Sequence, residues 1–164
     1  MKKEHEKLLE DANAGDYVAQ FQLFAAYATG EITGKPDFEK AFEWGDKAAS
    51  SGNAEVQFYY FNALFEAGLN DKANKWLLES AKNGYAKAQG LLSFMSYVNK
   101  DKESAKYWAN KAYSNGERIN SPFVLALLLM EQQSSNSSDK MKIVEYLQEA
   151  ANNGNEQAKS ILNG

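Results

Sequence analysis

The chain has 164 residues and a formal net charge of −4, with 44% hydrophobic and 13% aromatic residues. This composition is too apolar for a disordered chain, and the length suffices for one domain with a sizeable core. Acidic and basic residues are intermixed, which argues against a nucleic-acid partner because no clustered basic face is available. The sequence contains no Cys and no apolar run of membrane-spanning length. We therefore expect a soluble cytoplasmic protein with no membrane partner, or a periplasmic one if an export signal has been removed.

Apolar periodicity predicts helices along the whole chain, and no segment shows the sustained alternation of a strand. In chain order the predicted helices cover residues 3–14, 16–29, 37–51, 54–67, 71–83, 86–98, 101–115, 119–132, 139–153 and 155–162. Acidic residues at helix starts predict N-caps at Asp37, Asp101 and Asp139, and Asn70 or Asp71 takes this role for the helix from residue 71.

A short motif recurs five times, and its glycine stands between one predicted helix and the next. The glycines are Gly15, Gly52, Gly84, Gly116 and Gly154, with spacings of 37, 32, 32 and 38 residues. Glycine adopts the left-handed conformation at little cost, so each copy predicts a sharp corner between two helices. A period of about 30–40 residues predicts a solenoid of stacked helix pairs.

The helix before each glycine has a conserved spacing of large and small side chains within this one sequence. A ring stands eight residues before the glycine in four copies, as Trp44, Trp76, Trp108 and Tyr146. Small residues stand mostly eleven, four and three positions before it, on the same helical face. This face is predicted to form the core, and the register of the second and fourth helix pairs stays open by one position.

A glycine followed by three residues and then Ala-Gln resembles the Sel-one-like repeat family, an α-solenoid relative of the tetratricopeptide repeat. The fullest match includes Ala19, Gln20, Leu23, Tyr27, Gly30, Asp37, Ala41, Trp44, Ala48 and Ala49. The resemblance implies one all-α domain over residues 1–164, a right-handed α–α superhelix of about four helix pairs plus capping helices. Its parts are a cap helix at 3–14, repeats at about 16–51, 54–83, 86–115 and 119–153, and a terminal half repeat at 155–162.

The resemblance also implies which side chains face a bound partner, because the first helix of each pair lines the concave face in related solenoids. The implied partner-binding residues are Phe21, Phe58, Asn62, Phe65, Glu66, Phe94 and Tyr97. Exposed rings of this kind mark interaction sites, and Asn62 and Glu66 could hold a peptide backbone or a basic side chain. The alternative for each ring is a place in the core.

Residues for catalysis or metal binding are scarce. His5 is the only histidine and there is no Cys, so nucleophilic triads and soft-metal sites have almost nothing to build from. We expect a solvated His5, no catalytic residues, no metal and no cofactor. The sequence "NSS" at 136–138 fits a glycosylation pattern but is more simply part of a flexible loop.

Together these observations favour a non-enzymatic protein–protein interaction module that binds another protein or peptide in its concave groove. Proteins resembling this family include adaptors and, in bacteria, immunity proteins that neutralise toxins, so a toxin or effector is one expected partner. Two alternatives stay open: an enzyme similar to cysteine-rich relatives associated with β-lactam binding and hydrolysis, and a self-associating repeat. The expected state is a monomer or a weak homo-oligomer.

Overall fold

The computed structural model describes residues 3–132 and 136–164, which form ten helices and no strand. The helices are α1 (Lys3–Asn13), α2 (Tyr17–Thr29), α3 (Phe38–Ala49), α4 (Ala54–Glu66), α5 (Asn70–Lys82), α6 (Ala86–Val98), α7 (Lys102–Ser114), α8 (Asn120–Glu131), α9 (Ser137–Asn152) and α10 (Glu156–Asn163). The predicted all-α fold is confirmed, and every predicted helix end lies within about two residues of the observed one.

The chain divides into two units, Met1–Asn83 and Gly84–Gly164, which we name the N-terminal half and the C-terminal half. The N-terminal half contains α1, repeat 1 (α2 and α3) and repeat 2 (α4 and α5). The C-terminal half contains repeat 3 (α6 and α7), repeat 4 (α8 and α9) and α10. Each half therefore holds two consecutive repeats, so equivalent positions can be compared between halves. The assignment of residues 1–164 to one domain stays a prediction.

Short polar side chains fix most helix starts. The Asp37 carboxylate accepts a hydrogen bond from the backbone N–H of Lys40, and the Asp101 carboxylate accepts one from Ser104. Both predicted caps are confirmed. Each satisfies one of the backbone donors that a helix N-terminus leaves without an intrahelical partner.

Two other helix starts differ from the sequence prediction. Asp139 lies inside α9, because Asn136 caps this helix by accepting a hydrogen bond from the backbone N–H of Ser138 at 3.0 Å. Residues 136–138 therefore form a helix start, and their prediction as a flexible loop is wrong. Helix α5 begins at Asn70 after Leu69, which makes no side-chain capping bond, so neither Asn70 nor Asp71 is the N-cap.

The five motif glycines all have left-handed backbone conformations, with φ between 86° and 101°. In the repeats of the C-terminal half, α7 and α9 each end just before Gly116 and Gly154. A side chain at such a φ would be strained, which explains why glycine recurs at each corner. The predicted corners are confirmed.

The predicted core face is confirmed most fully in the N-terminal half. Trp44 and Trp76 are buried, whereas Trp108 and Tyr146 are half-buried. The ninth residue after the glycine is buried in all four repeats, so repeats 2 and 4 need no shift; these residues are Phe24, Phe61, Ser93 and Leu125. In repeat 4 this register holds although α8 starts late, because the buried Glu117 carboxylate accepts hydrogen bonds from the N–H groups of Ile119, Asn120 and Ser121.

One helix–helix contact is filled by side chains of different size in the two halves. Gly45 stands seven residues before the repeat glycine in α3, and a Cβ there would overlap the fully buried ring of Tyr60. At the equivalent positions of the C-terminal half stand Ala109 and Val124, which are both fully buried. The large Tyr60 ring fills the space that Gly45 leaves, and the smaller Val124 side chain leaves room for the methyl group of Ala109.

Buried amide side chains join repeat 1 to repeat 2 and link the two helices within repeats 2 and 3, a role that was not among the sequence predictions. Gln57 Nε2 donates to the Ala49 carbonyl at 3.0 Å, and its Oε1 accepts from Asn83 Nδ2 at 2.9 Å. In the C-terminal half, Gln89 Oε1 accepts from Asn115 Nδ2 at 2.8 Å. The Gln of the motif is thus structural. Its recurrence five residues after the glycine, with Asn before the next glycine, was the available signal.

Candidate partner-binding surface

A row of aromatic rings runs along α2 and α4 in the N-terminal half. Its members, which we name the aromatic strip, are Phe21, Phe24, Phe58, Tyr59, Phe61 and Phe65. The ring centroids follow one another at 5.9 Å (Phe65 to Phe61), 5.7 Å (Phe61 to Phe58), 6.4 Å (Phe58 to Tyr59), 6.4 Å (Tyr59 to Phe21) and 5.4 Å (Phe21 to Phe24). These distances are typical of interacting aromatic pairs.

The aromatic strip has a buried base and exposed tips. Phe24 and Phe61 are buried, and Phe21 and Phe58 are half-buried. Phe65 is 55% exposed and Tyr59 is 45% exposed. Rings held by a packed base lose little further freedom when a partner covers them, which favours binding.

Two polar residues of the predicted site lie beside these rings on α4. Asn62 is half-buried and Glu66 is exposed, and their spacing of four residues places them on one helical face. Glu66 makes no ion pair and no side-chain hydrogen bond with any described residue. An amide and an unpaired carboxylate are therefore available to an incoming chain.

A pocket of about 590 Å³ lies where repeat 1 meets repeat 2, and we name it the repeat 1–2 pocket. Its lining residues are Phe24 and Ala28 from α2, Phe38 and Phe42 from α3, Ala63 and Glu66 from α4, and Ala67 and Leu69 from the turn that follows. Glu66 is the one charged residue among them. Because Phe24 belongs to both features, the pocket continues from the aromatic strip.

The two predicted site residues of the C-terminal half make contacts inside that half. The Phe94 ring packs against Phe123 with a centroid distance of 6.3 Å. The Tyr97 hydroxyl donates to Glu131 Oε1 at 2.6 Å, and Lys102 Nζ lies 2.6 Å from Glu131 Oε2. We name Tyr97, Glu131 and Lys102 the polar bridge.

The polar bridge shifts the acid–base equilibria of two of its members. Burial and the hydrogen bond to Glu131 raise the pKa of Tyr97 to about 12. Lys102 and Tyr97, both hydrogen-bonded to Glu131, hold the pKa of that carboxyl group below its ordinary value. The bridge therefore favours a charged Glu131 and a neutral Tyr97 near pH 7.

The single histidine is placed differently from its prediction. His5 was expected in solvent, but its side chain is only 12% exposed and its Nε2 lies 3.7 Å from Glu31 Oε1. Among residues 3–132 and 136–164, no three His, Cys, Asp or Glu side chains lie close enough to hold a metal ion. Within the same ranges, no helix is both long and apolar enough to cross a membrane.

Comparison with known proteins identifies the repeat. The sequence model of the Sel1 repeat matches residues 18–53, 59–85, 86–117 and 144–155, which is more than half of the chain. The chain belongs to the Sel1 repeat family. Sel1 repeat proteins generally mediate protein–protein interactions and generally act as non-catalytic scaffolds. The resemblance inferred from the motif is therefore confirmed.

Two solved structures have the same fold as this Sel1 repeat chain. A protective antigen of uropathogenic Escherichia coli strains with an SLR fold is similar at 27% identity and a TM-score of 0.68, over 94% of this chain and 34% of that one. A Sel1 repeat protein from Oxalobacter formigenes is similar at 26% identity and a TM-score of 0.72, over 97% of this chain and 47% of that one. The chain thus spans about a third to about half of their lengths. No curated protein matches it significantly.

Proposed function

We propose that this Sel1 repeat chain is a protein-interaction module whose N-terminal half binds another protein, or a peptide segment of one, on the aromatic strip. The observation that carries the proposal is the strip itself, whose exposed Phe65 and Tyr59 rings rest on a buried aromatic base. Aromatic side chains are enriched at the cores of protein interfaces, and Tyr and Trp are among the residues that most often dominate the binding energy there. The general role of Sel1 repeats supports the same function.

The proposed contact residues in the N-terminal half are Phe21, Phe58, Asn62, Phe65 and Glu66. Phe94 and Tyr97 in the C-terminal half stay sequence-based predictions, since both side chains also serve contacts inside that half. The proposal includes a role as a toxin-neutralising immunity protein or as a small adaptor. The identity of the captured partner distinguishes the two: a toxin supports the first and a regulatory protein the second.

Affinity capture from the source cell tests the proposal through a matched pair of variants. Phe65→Asp places a charge at the exposed tip of the aromatic strip, and we expect it to retain the fold and lose the partner. Tyr107→Asp is the control, because Tyr107 on α7 is exposed to a similar extent, 53%, and lies outside the strip. Circular dichroism and urea unfolding of both variants establish that the fold is intact.

The opposite pattern would contradict the proposal: a partner retained by Phe65→Asp and lost by Tyr107→Asp. Phe58→Asp adds a check on the half-buried part of the strip, and we expect it also to fold and to lose the partner. If Phe58→Asp unfolds instead, that ring is part of the core and the strip's contact surface is limited to its exposed tips.

A further inference from the structure

The boundary between repeats has different side chains in the two halves at equivalent positions. Counted from the repeat glycines, Ala28 corresponds to Tyr97, Phe38 corresponds to Lys102, and Ala67 corresponds to Glu131. In the C-terminal half these three residues form the polar bridge, with contacts of 2.6 Å to Glu131. In the N-terminal half the same three positions line the repeat 1–2 pocket.

At the repeat 1–2 boundary, two alanines and a phenylalanine thus stand where the C-terminal half has a hydrogen-bonded set. Ala28 and Ala67 end at Cβ and cannot reach across the gap between α2 and α4, whereas Tyr97 spans the corresponding gap to reach Glu131. Phe38, at the mouth of the pocket, is 58% exposed. The cost of exposing this apolar surface to water is removed if an apolar group from elsewhere fills the pocket.

Glu131 and Glu66, the carboxylates at the two boundaries, also differ in whether described residues of the chain pair with them. Glu131 is satisfied by Lys102 and Tyr97 of its own chain. Glu66 lines the repeat 1–2 pocket without an ion pair or side-chain hydrogen bond to any described residue. A positive charge from an occupant would give Glu66 an ion pair comparable to the one that Lys102 gives to Glu131.

We propose that the repeat 1–2 pocket binds an aromatic side chain of the partner protein, with a Lys or Arg next to it in sequence that pairs with Glu66. This proposal rests on the proposed function and names the partner chemistry. The pocket volume of about 590 Å³ is within the range of sites that enclose a bound group. Its walls of Phe24, Phe42 and Leu69 suit a ring, and aromatic anchors seated in a pocket dominate interface energetics.

The occupant is a peptide segment because the pocket continues into the aromatic strip through Phe24, which stacks on Phe21 at 5.4 Å. A chain anchored in the pocket by one ring can lay its following residues along the exposed rings. The basic residue beside the anchor then sets the direction of the segment, because Glu66 is the single charged residue in the lining.

Three capped dipeptides test the proposal by NMR titration of the ¹⁵N-labelled chain: acetyl-Trp-Lys-amide, acetyl-Trp-Glu-amide and acetyl-Ala-Lys-amide. We expect saturable shifts at the amides of residues 63–69 with the Trp-Lys dipeptide, and none with the Ala-Lys dipeptide. The Trp-Glu dipeptide should bind at least about threefold more weakly, the size expected for a single exposed ion pair.

Variants of the pocket make the assignment specific. Ala28→Tyr introduces the side chain found at this position in the C-terminal half, and we expect it to weaken Trp-Lys dipeptide binding at least about tenfold. Ala67→Glu is a second variant for the case in which Ala28→Tyr does not fold. Glu66→Gln should make the Trp-Lys and Trp-Glu affinities equal, because it removes the charge without removing the pocket.

The outcomes separate this proposal from the proposed function. Phe65→Asp should abolish partner capture. Dipeptide binding is compared in Phe65→Ala, which removes the same ring without adding a carboxylate beside Glu66 and should leave the Trp-Lys affinity at the pocket unchanged, since Phe65 does not line it. Shifts that fall outside the pocket, or an Ala28→Tyr chain that folds and binds the Trp-Lys dipeptide like the unmodified chain, would overturn the pocket proposal. If Phe65→Asp still abolished capture in that case, the proposed function would stand without it.

Discussion

Where repeats 1 and 2 meet, the N-terminal half leaves an apolar pocket; where repeats 3 and 4 meet, the C-terminal half places Tyr97, Glu131 and Lys102 in contact. The helices around both boundaries start in the same register from the repeat glycine, except for the late start of α8. The two boundaries therefore differ in these side chains and in one loop, since residues 30–37 between α2 and α3 form a longer connection than residues 99–101 between α6 and α7. This difference shows that stacking two repeats does not require the outer part of their boundary to be filled.

Contacts nearer the core are kept in both halves. The Gln-to-Asn hydrogen bond within a repeat occurs between Gln57 and Asn83 in repeat 2 and between Gln89 and Asn115 in repeat 3. Where core volumes differ, a compensating change occurs at the facing residue, as for Gly45 opposite Tyr60. We infer that stability depends on these buried contacts, whereas the positions that line the repeat 1–2 pocket or form the polar bridge can vary with function. The predictions that follow test this division.

The largest expected effect is the loss of a buried ring in the N-terminal half. Trp76 is buried and packs against Tyr60 at a centroid distance of 6.1 Å. Trp76→Ala should lower the free energy of unfolding by roughly 3–5 kcal/mol because it leaves a core cavity. Trp108→Ala, at the equivalent half-buried position of the C-terminal half, should cost clearly less. Urea unfolding of both variants makes the comparison, and equal losses would show that the two positions are not packed differently.

A smaller effect is expected where a glycine faces a ring. Gly45→Ala should destabilise the chain by roughly 1–3 kcal/mol, because the new methyl overlaps the immobile Tyr60 ring and this outweighs the better helix propensity of Ala. Gly90→Ala is a second test, at a different repeat position in the C-terminal half. There the new methyl would lie 2.7 Å from the Glu117 carboxyl carbon. Thermal unfolding of the two variants measures the costs, and an unchanged or raised melting temperature for Gly45→Ala would contradict the close contact.

The smallest effect is the pH dependence of the polar bridge. Because Lys102 and Tyr97 lower the pKa of Glu131 in the folded state, the bridge stabilises the C-terminal half above the ordinary carboxyl pKa. This contribution is lost as the pH falls through the lowered pKa and Glu131 becomes protonated. Glu131→Gln should therefore flatten the acid side of the stability profile below about pH 4.5. Hydrogen exchange of the α8 backbone amides, followed as a function of pH, measures this change in stability.

The pH dependence of stability in a variant of the N-terminal half is the control for that prediction. Glu66 lines the repeat 1–2 pocket without an ion pair or side-chain hydrogen bond to any described residue, so Glu66→Gln is the control that removes a carboxylate without removing such a contact. An equal flattening by both substitutions would indicate a general charge effect in place of the specific contacts of Glu131.

The sequence predicted the helices and corners well because glycine, capping residues and apolar period act locally. It misplaced the start of α9 because Asn136, Ser137, Ser138 and Asp139 are four consecutive residues that can all cap a helix, and local propensity does not choose among them. It also missed the start of α5 after Leu69, where no side chain makes a capping hydrogen bond.

For the candidate site, the repeat register placed Phe21, Phe58, Asn62, Phe65 and Glu66 on the helices that carry the aromatic strip. The pocket could not be predicted in this way. A cavity depends on what Ala28 and Ala67 fail to fill, and therefore on distances between helices that are far apart in sequence. The polar bridge has the same origin, since Tyr97 and Glu131 meet across 34 residues of chain. Aligning the repeats on their glycines shows that the side chains at these positions differ. Only the structure shows that Tyr97 and Glu131 meet across the gap between α6 and α8.

The central claim, that a partner protein binds the N-terminal half on its aromatic strip, is tested most directly by photo-crosslinking in the source cell. Benzoylphenylalanine placed at residue 65 should give a covalent adduct with another protein, and the same probe at residue 107, which is similarly exposed, should give none. An adduct formed from residue 107 and absent from residue 65 would contradict the claim.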